Sequence, residues 1–345
     1  MATLCENYTK AGENVQLTSL WIDTFAQDVV TGIGIIGNIL IFVILKQKNM
    51  QNTFNQLRAA LAVFDIIMLI SMFSTNVLFR SSKDYLQAVY PVFLWPLKSF
   101  TMTISVFMTV AIAWERYGAI NDPYTYKSYQ EYRAIKYVSS LTVVALILNC
   151  GKFFELQPNK CIERPGFSGV FKLGPIFQNL TYALYYNLVI LRVFIAGIIP
   201  MTLLIYLYTK IFLKIQEHNR SMALQNITVK NKMMKEHMMA ITFAGVVIAS
   251  LICTFPGWLV VVRVLIDGGE AKAENLQYYE SVFMVRDIFF TLNSAINIFI
   301  YSCFDPSFRE ELSKFSWSVL RIPPKCKKIF KPTSTNSENE HQTQM

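Results

Sequence analysis

One carboxylate stands inside an apolar stretch of this chain, where a charged side chain is costly and needs polar partners. Asp65 lies within Ala59–Phe79, a stretch dominated by Ile, Leu, Met and Phe. Polar side chains near the middle of three other apolar stretches are its candidate partners: Asn38, Ser105, Asn293, Ser294 and Asn297. This set predicts either a hydrogen-bond network that packs helices or an oxygen-ligated site for a small cation, with sodium the expected ion.

A second group of charges ends another apolar stretch, where Trp114 is followed by Glu115, Arg116 and Tyr117. Alone, an acid beside a base at a membrane boundary could be an anchor whose charged ends reach for water. Its meaning therefore depends on the number and order of the apolar stretches.

Composition explains why these charges are exceptional. Hydrophobic residues make up 53% of the 345 residues and charged residues 16%, whereas a soluble domain carries about 25% charge. Seven stretches approach the roughly 20 apolar residues that a helix needs to cross a bilayer: Phe25–Leu45, Gln56–Phe79, Tyr90–Trp114, Ile135–Phe154, Phe177–Leu213, Met238–Ile266 and Ser281–Phe304. Because backbone amides in hydrocarbon must be bonded internally, each stretch is predicted to be a helix.

The predicted fold class is an all-α membrane protein, a seven-transmembrane helix bundle followed by a short amphipathic helix. Asp305-Pro306-Ser307 breaks the last span and can cap a new helix, in which Phe308 and Leu312 begin an apolar stripe. The predicted divisions are an extracellular segment 1–23, a membrane domain 24–304, an interfacial helix 305–321 and a disordered cytoplasmic tail 322–345. The polar first 23 residues lack the basic start and apolar core of a cleavable signal peptide.

Basic residues indicate the orientation. If the N-terminus is outside, the cytoplasmic loops, helix ends and tail hold 20 of the 32 Lys and Arg residues. The formal net charge of +9 is then a topology signal, and nucleic acid is not an expected partner.

This orientation also predicts covalent modifications. Asn7 and Asn179 begin N-x-Thr glycosylation sequons on the outer side. Cys5 and Cys161, the two outer cysteines, could form a disulfide in an oxidising compartment. Cys326 follows the amphipathic stretch and is a candidate for palmitoylation.

Several motifs occur in order between Gly32 and Leu320, and together they resemble the rhodopsin-like (class A) G-protein-coupled receptors. They are Gly37-Asn38, Leu61-Ala62-x-x-Asp65, Glu115-Arg116-Tyr117, Pro200 with Tyr208, Pro256 and Asn297-x-x-x-Tyr301. Within that family the chain is similar to the FMRFamide-type neuropeptide receptors of invertebrates. The similarity lies in Asn149-Cys150-Gly151-Lys152-Phe153-Phe154-Glu155, in Tyr90-Pro91 with Trp95-Pro96-Leu97, and in the lack of a proline after Asn297.

The resemblance implies roles for residues near the inner ends of the spans. The implied activation and coupling residues are Glu115, Arg116, Tyr117, Tyr208, Glu236, Pro256, Asn297 and Tyr301. Arg116 would be held by Glu115 and Glu236 until the sixth span moves outward. The implied partners are an extracellular peptide and a heterotrimeric G protein, with arrestin and receptor kinases at the tail, in the lipid of the plasma membrane. Thr254 departs from the family, because many relatives carry an aromatic residue there.

The resemblance also bears on the ligand. Lys98 occupies the position at which amine receptors carry an Asp, which disfavours a biogenic amine. Lys98 and Asp287 could neutralise each other or line a pocket with Arg192, with glutamates near its mouth: Glu155, Glu163 and Glu280. A peptide ending in Arg-Phe-amide would bring a guanidinium for a carboxylate and a ring for aromatic walls.

The sequence also bears on three other classes of function. An anionic small molecule or lipid, or a chemosensory ligand, would suit Lys98 and Arg192. A transporter or channel is disfavoured because the spans show no inverted repeat and no pairs of broken helices. An enzyme is not expected, because the spans hold no nucleophile–base pair and no metal cluster.

Overall fold

A computed structural model describes residues 17–81, 89–122, 126, 132–158, 171–173, 190–222, 238, 241–242, 244–257, 259 and 276–319. For residues 17–24, 78–81, 156–158, 171–173, 218–222, 276–284 and 316–319 it describes the backbone alone.

The described chain is largely helical. Its helices are α1 (Leu17–Leu45), α2 (Thr53–Ser81), α3 (Trp95–Asn121), α4 (Arg133–Asn149), α5 (Ile199–Met222), α6 (Ala244–Gly257), α7 (Leu276–Ala295), α8 (Asn297–Phe304) and α9 (Pro306–Val319). Single turns of 3-10 helix follow α1 and α4, at Lys48–Met50 and Cys150–Phe154. Wider π-type turns at Tyr90–Leu94 and Phe194–Ile198 lead into α3 and α5, next to Pro96 and Pro200, as is common where the regular bonding of a helix is interrupted.

Six helical stretches in the described residues are long and apolar enough to span a membrane, and α6 is a shorter apolar helix. They lie at Phe25–Leu45, Thr53–Val77, Tyr90–Asn121, Arg133–Phe154, Ile190–Glu217 and Val285–Phe304. The predicted all-α bundle is therefore confirmed. A small antiparallel pair was not predicted: β1 (Leu156–Pro158) pairs with β2 (Phe171–Leu173), with Gln157 opposite Lys172.

Helix α3 lies at the centre of the bundle and packs against α2, α4 and α5, while α1 packs against α2, α7 and α8. Two glycines allow the close approach of α1. A Cβ on Gly34 would lie 2.8 Å from the Ala295 Cβ, and one on Gly37 would lie 2.7 Å from the Ile298 Cγ2. Any larger side chain at these positions would push α1 away from α7 and α8.

The outer surface of the bundle is apolar, whereas its interior combines hydrophobic clusters with buried polar residues. Ile36, Ile147 and Phe255 are 70%, 65% and 60% exposed, whereas Asp65 is fully buried. Polar residues inside and large apolar residues outside are typical of helices that face lipid.

Helix α9 begins at the break that the sequence indicated. The Asp305 Oδ1 accepts hydrogen bonds from the backbone N–H groups of Ser307 and Phe308, at 3.0 and 3.1 Å. Asp305 is thus the N-cap and Pro306 the first helical residue, the combination that favours a helix start. The Phe308 ring is fully buried and packs edge-on against Tyr301 at 5.8 Å, so α9 is attached to α8.

Candidate functional site: a cationic cavity and the opposite end of the bundle

A cavity of about 270 Å³ opens between α3, the end of α4, the start of the fifth span, α6 and α7. Four cationic side chains line it: Lys98, Lys152, Arg192 and Arg286. Trp95, Met102 and Phe290 form aromatic and apolar parts of the cavity wall. We call this end of the bundle the cavity end, and the end that holds Arg116 the Arg116 end.

The first charged cluster at the cavity end joins α3 to α7. The Lys98 Nζ donates to the Asp287 Oδ2 at 2.5 Å. The Arg286 guanidinium binds the other oxygen of Asp287, with its Nη2 at 2.8 Å and its Nε at 2.9 Å. The Lys98 side chain is 4% exposed and that of Asp287 18%. We call these three residues the first triad. One carboxylate is therefore shared by two cations.

The second charged cluster joins the end of α4 to the fifth span. Glu155 is paired with Lys152, and the Arg192 Nη1 lies 3.8 Å from the Glu155 Oε2. The Trp95 Nε1 donates to the same oxygen at 3.4 Å, and the Lys152 Nζ lies 4.7 Å from the centre of the Trp95 ring. Lys152, Glu155 and Arg192 form the second triad, again one acid between two cations.

The sequence predicted Lys98, Arg192, Glu155 and Asp287 as pocket residues but missed the other two cations. Lys152 could have been found, because it precedes Glu155 by three residues on a helical turn and therefore lies on the same face. Arg286 is adjacent to Asp287 in sequence, where side chains on a helix ordinarily diverge, so no simple spacing rule would have paired them.

Asp65 lies at mid-bundle with three polar partners, one each on α3, α7 and α8. Its Oδ1 accepts hydrogen bonds from the hydroxyls of Ser105 and Ser294, each at 3.0 Å. Its Oδ2 accepts one from the Asn297 Nδ2 at 3.0 Å. The donors to this carboxylate do not include Asn293.

These residues fit a sodium ion in part. The oxygens of Asp65, Ser105 and Ser294 converge and would hold the ion, because sodium takes oxygen ligands. Asn297 presents its nitrogen to Asp65. Asn38 bonds instead to the backbone oxygens of Gly34 and Ser294, at 2.9 and 2.8 Å, which ties α1 to α7.

At the Arg116 end, the expected pair of Glu115 with Arg116 is not found among the described residues. Glu115 lies instead near Arg133 of α4, whose Nη1 is 3.8 Å from the Glu115 Oε1. The Arg116 guanidinium lies 5.2 Å from the Phe54 ring centre. Neighbouring helix residues point about 100° apart, and here the two side chains turn in different directions, Glu115 toward Arg133 and Arg116 toward Phe54.

A buried ion pair that the sequence did not predict links α2 to the start of α9. The Arg58 Nη1 lies 2.8 Å from the Asp305 Oδ2, with side chains 3% and 4% exposed. The Arg58 guanidinium also stacks on the Tyr301 ring at 3.8 Å. Arg58 lies two helical turns before Asp65 and therefore on the same face of α2. This spacing was the one sequence signal that Arg58 faces the interior of the bundle.

The remaining predicted residues are placed as follows. Tyr117 and Tyr208 are partly buried and pack against the core around α3, and Pro256 lies in the last turn of α6. Glu280 belongs to α7, by its backbone alone. Several predictions fall outside the described residues: Cys5, Asn7, Cys161, Glu163, Asn179, Glu236 and Cys326.

Comparison with known proteins agrees with this architecture. The model of the family described as 7 transmembrane receptor (rhodopsin family) matches residues 37–301. An FMRFamide receptor from Drosophila melanogaster is 24% identical over 319 residues, which cover 89% of this chain and 56% of that receptor. The chain thus spans little more than half the length of the relative. Because the family model matches most of the chain, the protein belongs to the rhodopsin family of seven-transmembrane receptors.

Proposed function

We propose that this protein is a G-protein-coupled receptor of the plasma membrane, with its N-terminus and cavity end outside the cell. An extracellular neuropeptide of the FMRFamide type activates it, and a heterotrimeric G protein carries the signal inside. The observation that carries the proposal is a cavity with charged side chains in its wall at one end of α3 and the Glu115-Arg116-Tyr117 motif at the other. One rigid helix therefore connects a site for a ligand with a site for a cytoplasmic partner.

The cavity offers contacts for both halves of an Arg-Phe-amide terminus. Glu155 and Asp287 are the carboxylates that a guanidinium would seek, and Trp95 and Phe290 would receive the phenyl ring. Entry of the guanidinium requires it to replace a cation of the first or second triad. Glu163 and Glu280 remain proposed contacts at the mouth.

Coupling would follow from the opening of the Arg116 end. Outward movement of the sixth span would free Arg116 from Glu236, while Tyr208 and Tyr301 would turn inward to stabilise the open form. The agonist acts through tighter binding to that open form. Arrestin and receptor kinases would act on the tail, residues 322–345, and sodium at Asp65 would favour the resting form.

The test is a second-messenger assay in cells that express the full chain, with a panel of amidated peptides of which half end in Arg-Phe-amide. We expect a nanomolar response confined to that half, abolished by Arg116→Ala at equal surface expression. Lys314→Ala, which removes an exposed cation from α9, is the matched control and should retain the response. Silence of a surface-expressed receptor to every peptide would refute the peptide proposal.

A second variant tests the inner ion pair. Glu236→Ala should raise basal signalling, because it removes a carboxylate that restrains Arg116 in the resting form. Unchanged basal output at equal expression would remove Glu236 from the mechanism.

A further inference from the structure

The Tyr301 ring packs against a buried cation. The Arg58 guanidinium carbon lies 3.8 Å from the centre of that ring, and the Phe308 ring packs edge-on against it at 5.8 Å. Arg58 and Tyr301 are 3% and 4% exposed. Because a cation over an aromatic face is attracted more strongly where water is excluded, the stack of Arg58 on Tyr301 is a strong contact.

The guanidinium is held in place by side chains other than Tyr301. The Arg58 Nη1 donates to the Asp305 Oδ2 at 2.8 Å and to the Asn55 Oδ1 at 3.1 Å. Asn55 lies one turn earlier on α2, and Asp305 is fixed as the N-cap of α9. Arg58 would therefore keep its position if the Tyr301 ring moved away.

A small hollow lies between Tyr301, α3 and the sixth span. Its volume is about 20 Å³, and its wall includes Thr109 and Ile112 of α3 and Thr242 and Val246 of the sixth span. That volume holds about one water molecule, which is far less than an aromatic ring needs. Tyr301 can therefore turn into this space only after the sixth span has moved away from α3.

We propose that Arg58 is a positioning residue, which holds Tyr301 in its resting place and thereby sets the basal activity of the receptor. The inference deepens the proposed function and rests on it, because the inward turn of Tyr301 belongs to that mechanism. For Tyr301 to turn toward α3 and the sixth span, its ring must leave the guanidinium. The stack therefore stabilises the resting form relative to the open form, and its loss shifts the population toward the open form.

Two variants separate the stack on Tyr301 from the ion pair with Asp305. Arg58→Lys keeps a cation for Asp305 but replaces the planar guanidinium with an ammonium, which cannot stack flat on a ring. Arg58→Met removes both contacts. A purely structural role of Arg58 predicts fewer receptors at the cell surface and no gain in output from each. Loss of the stack predicts more output from each receptor that reaches the surface.

The experiment measures, without agonist, the loading of a GTP analogue onto a panel of heterotrimeric G proteins, divided by the amount of full-length receptor in the membranes. We expect a rise of about five- to tenfold for Arg58→Met and of at least about threefold for Arg58→Lys, from loss of a desolvated cation–π contact. Lys46→Met is the control, because the exposed Lys46 lies 5.7 Å from the Phe42 ring centre at the same end of the bundle. It should leave the basal output unchanged. An unchanged or lower output per receptor in Arg58→Lys would overturn the proposal, even where Arg58→Met fails to fold.

A double variant tests whether Arg58 acts through Tyr301. Tyr301→Leu removes the ring of the stack, so in that background Arg58→Lys should raise the basal output less than about twofold. An undiminished rise would overturn the proposal, because Arg58 would then restrain another part of the bundle.

The peptide panel tests the proposed function separately. A peptide response of the unaltered chain without a rise in Arg58→Lys would keep the receptor and reject this inference. A rise in Arg58→Lys without a response to any peptide would support the role of Arg58 and reject the peptide proposal.

Discussion

At the cavity end each of two carboxylates is shared by two cations, whereas at the Arg116 end Arg58 and Asp305 form a pair of one acid and one base. The first arrangement lies beside a hollow of about 270 Å³, and the second is almost wholly buried and also holds a helix start. Among the described residues, each carboxylate at the cavity end has two cations near it, whereas Asp305 has one. The same residue types therefore line a cavity at one end and join two helices at the other.

The largest effect is expected from breaking the one-to-one pair. Arg58→Met leaves Asp305 buried without its cation and should cost about 3–5 kcal/mol of folding free energy. Unfolding of the purified chain in mixed micelles measures the loss. The double variant Arg58→Met with Asp305→Asn removes both charges and keeps a capping oxygen, so it should recover part of the stability. No recovery would mean that packing of Arg58 on Tyr301, rather than the ion pair, dominates.

The first triad provides the contrasting case. Lys98→Met leaves Asp287 bonded to Arg286 and removes one of the two cations that share it, so it should cost less than about 1.5 kcal/mol. Asp287→Asn leaves two cations without a full counter-charge and should approach the loss at Arg58. The same unfolding assay compares the two variants. If Lys98→Met were the more harmful, the carboxylate would not be shared as the distances indicate.

Agonist potency in the second-messenger assay tests the same difference between the cavity end and the Arg116 end. Asp287→Asn and Glu155→Gln should each weaken an Arg-Phe-amide agonist at least tenfold at unchanged surface expression, since either carboxylate is a proposed contact of the guanidinium. Lys98→Gln should do less damage to that agonist, and Arg58 variants should alter signalling without altering ligand affinity. Equal potency at both acid variants would place the arginine contact elsewhere.

Asp65 lies between the two ends and allows a smaller test. At about 100 mM sodium, and with a Kd on the order of 10 mM, binding would stabilise the folded chain by about 1.4 kcal/mol. Replacing potassium by sodium at constant ionic strength should therefore raise the unfolding temperature of the unaltered chain but not that of Asp65→Asn. An equal response of both would leave Asp65 with a packing role alone.

The smallest effect is expected on the surface of α9. Hydrogen bonds from Lys314 and Asn49 lower the pKa of the Glu311 carboxyl. The stabilisation is present above the ordinary pKa of Glu and is lost as the pH falls through the lowered pKa. The fall in unfolding temperature from pH 7 to pH 3 should be slightly smaller in Glu311→Gln than in the unaltered chain. A large difference between the two chains would show that this exposed contact matters as much as the buried pair.

Much of the architecture could be predicted, because a bilayer sets the length of a span and forces its backbone into helices. Asp305 could be predicted as a cap from Asp-Pro-Ser alone, and the partners of Asp65 from their depth near mid-span. The position of a residue along its helix can be read from the sequence. The neighbouring helix toward which its side chain points cannot. This is why Asn293, at the same depth as Ser294, is not a donor to Asp65.

The features that were missed depend on rotation and on distant contacts. Arg286 reaches the same carboxylate as Lys98 because of how α7 faces α3. Arg58 and Asp305 are 247 positions apart, and each alone has an ordinary local explanation, as a basic residue at a membrane boundary and as a helix cap. The β1–β2 pair is too short, at three residues a strand, to show an alternating pattern.

The pairing of Arg58 with Asp305 has a consequence for biosynthesis. Arg58 is translated 247 residues before its counter-ion. At about 5–20 residues per second, its buried site stays without a carboxylate for roughly 12–50 s. A chain that stops before Asp305 never acquires it and keeps an uncompensated guanidinium inside the bundle. We therefore expect a nonsense mutation just upstream of α9 to lead to retention and degradation rather than to a receptor that merely lacks its tail.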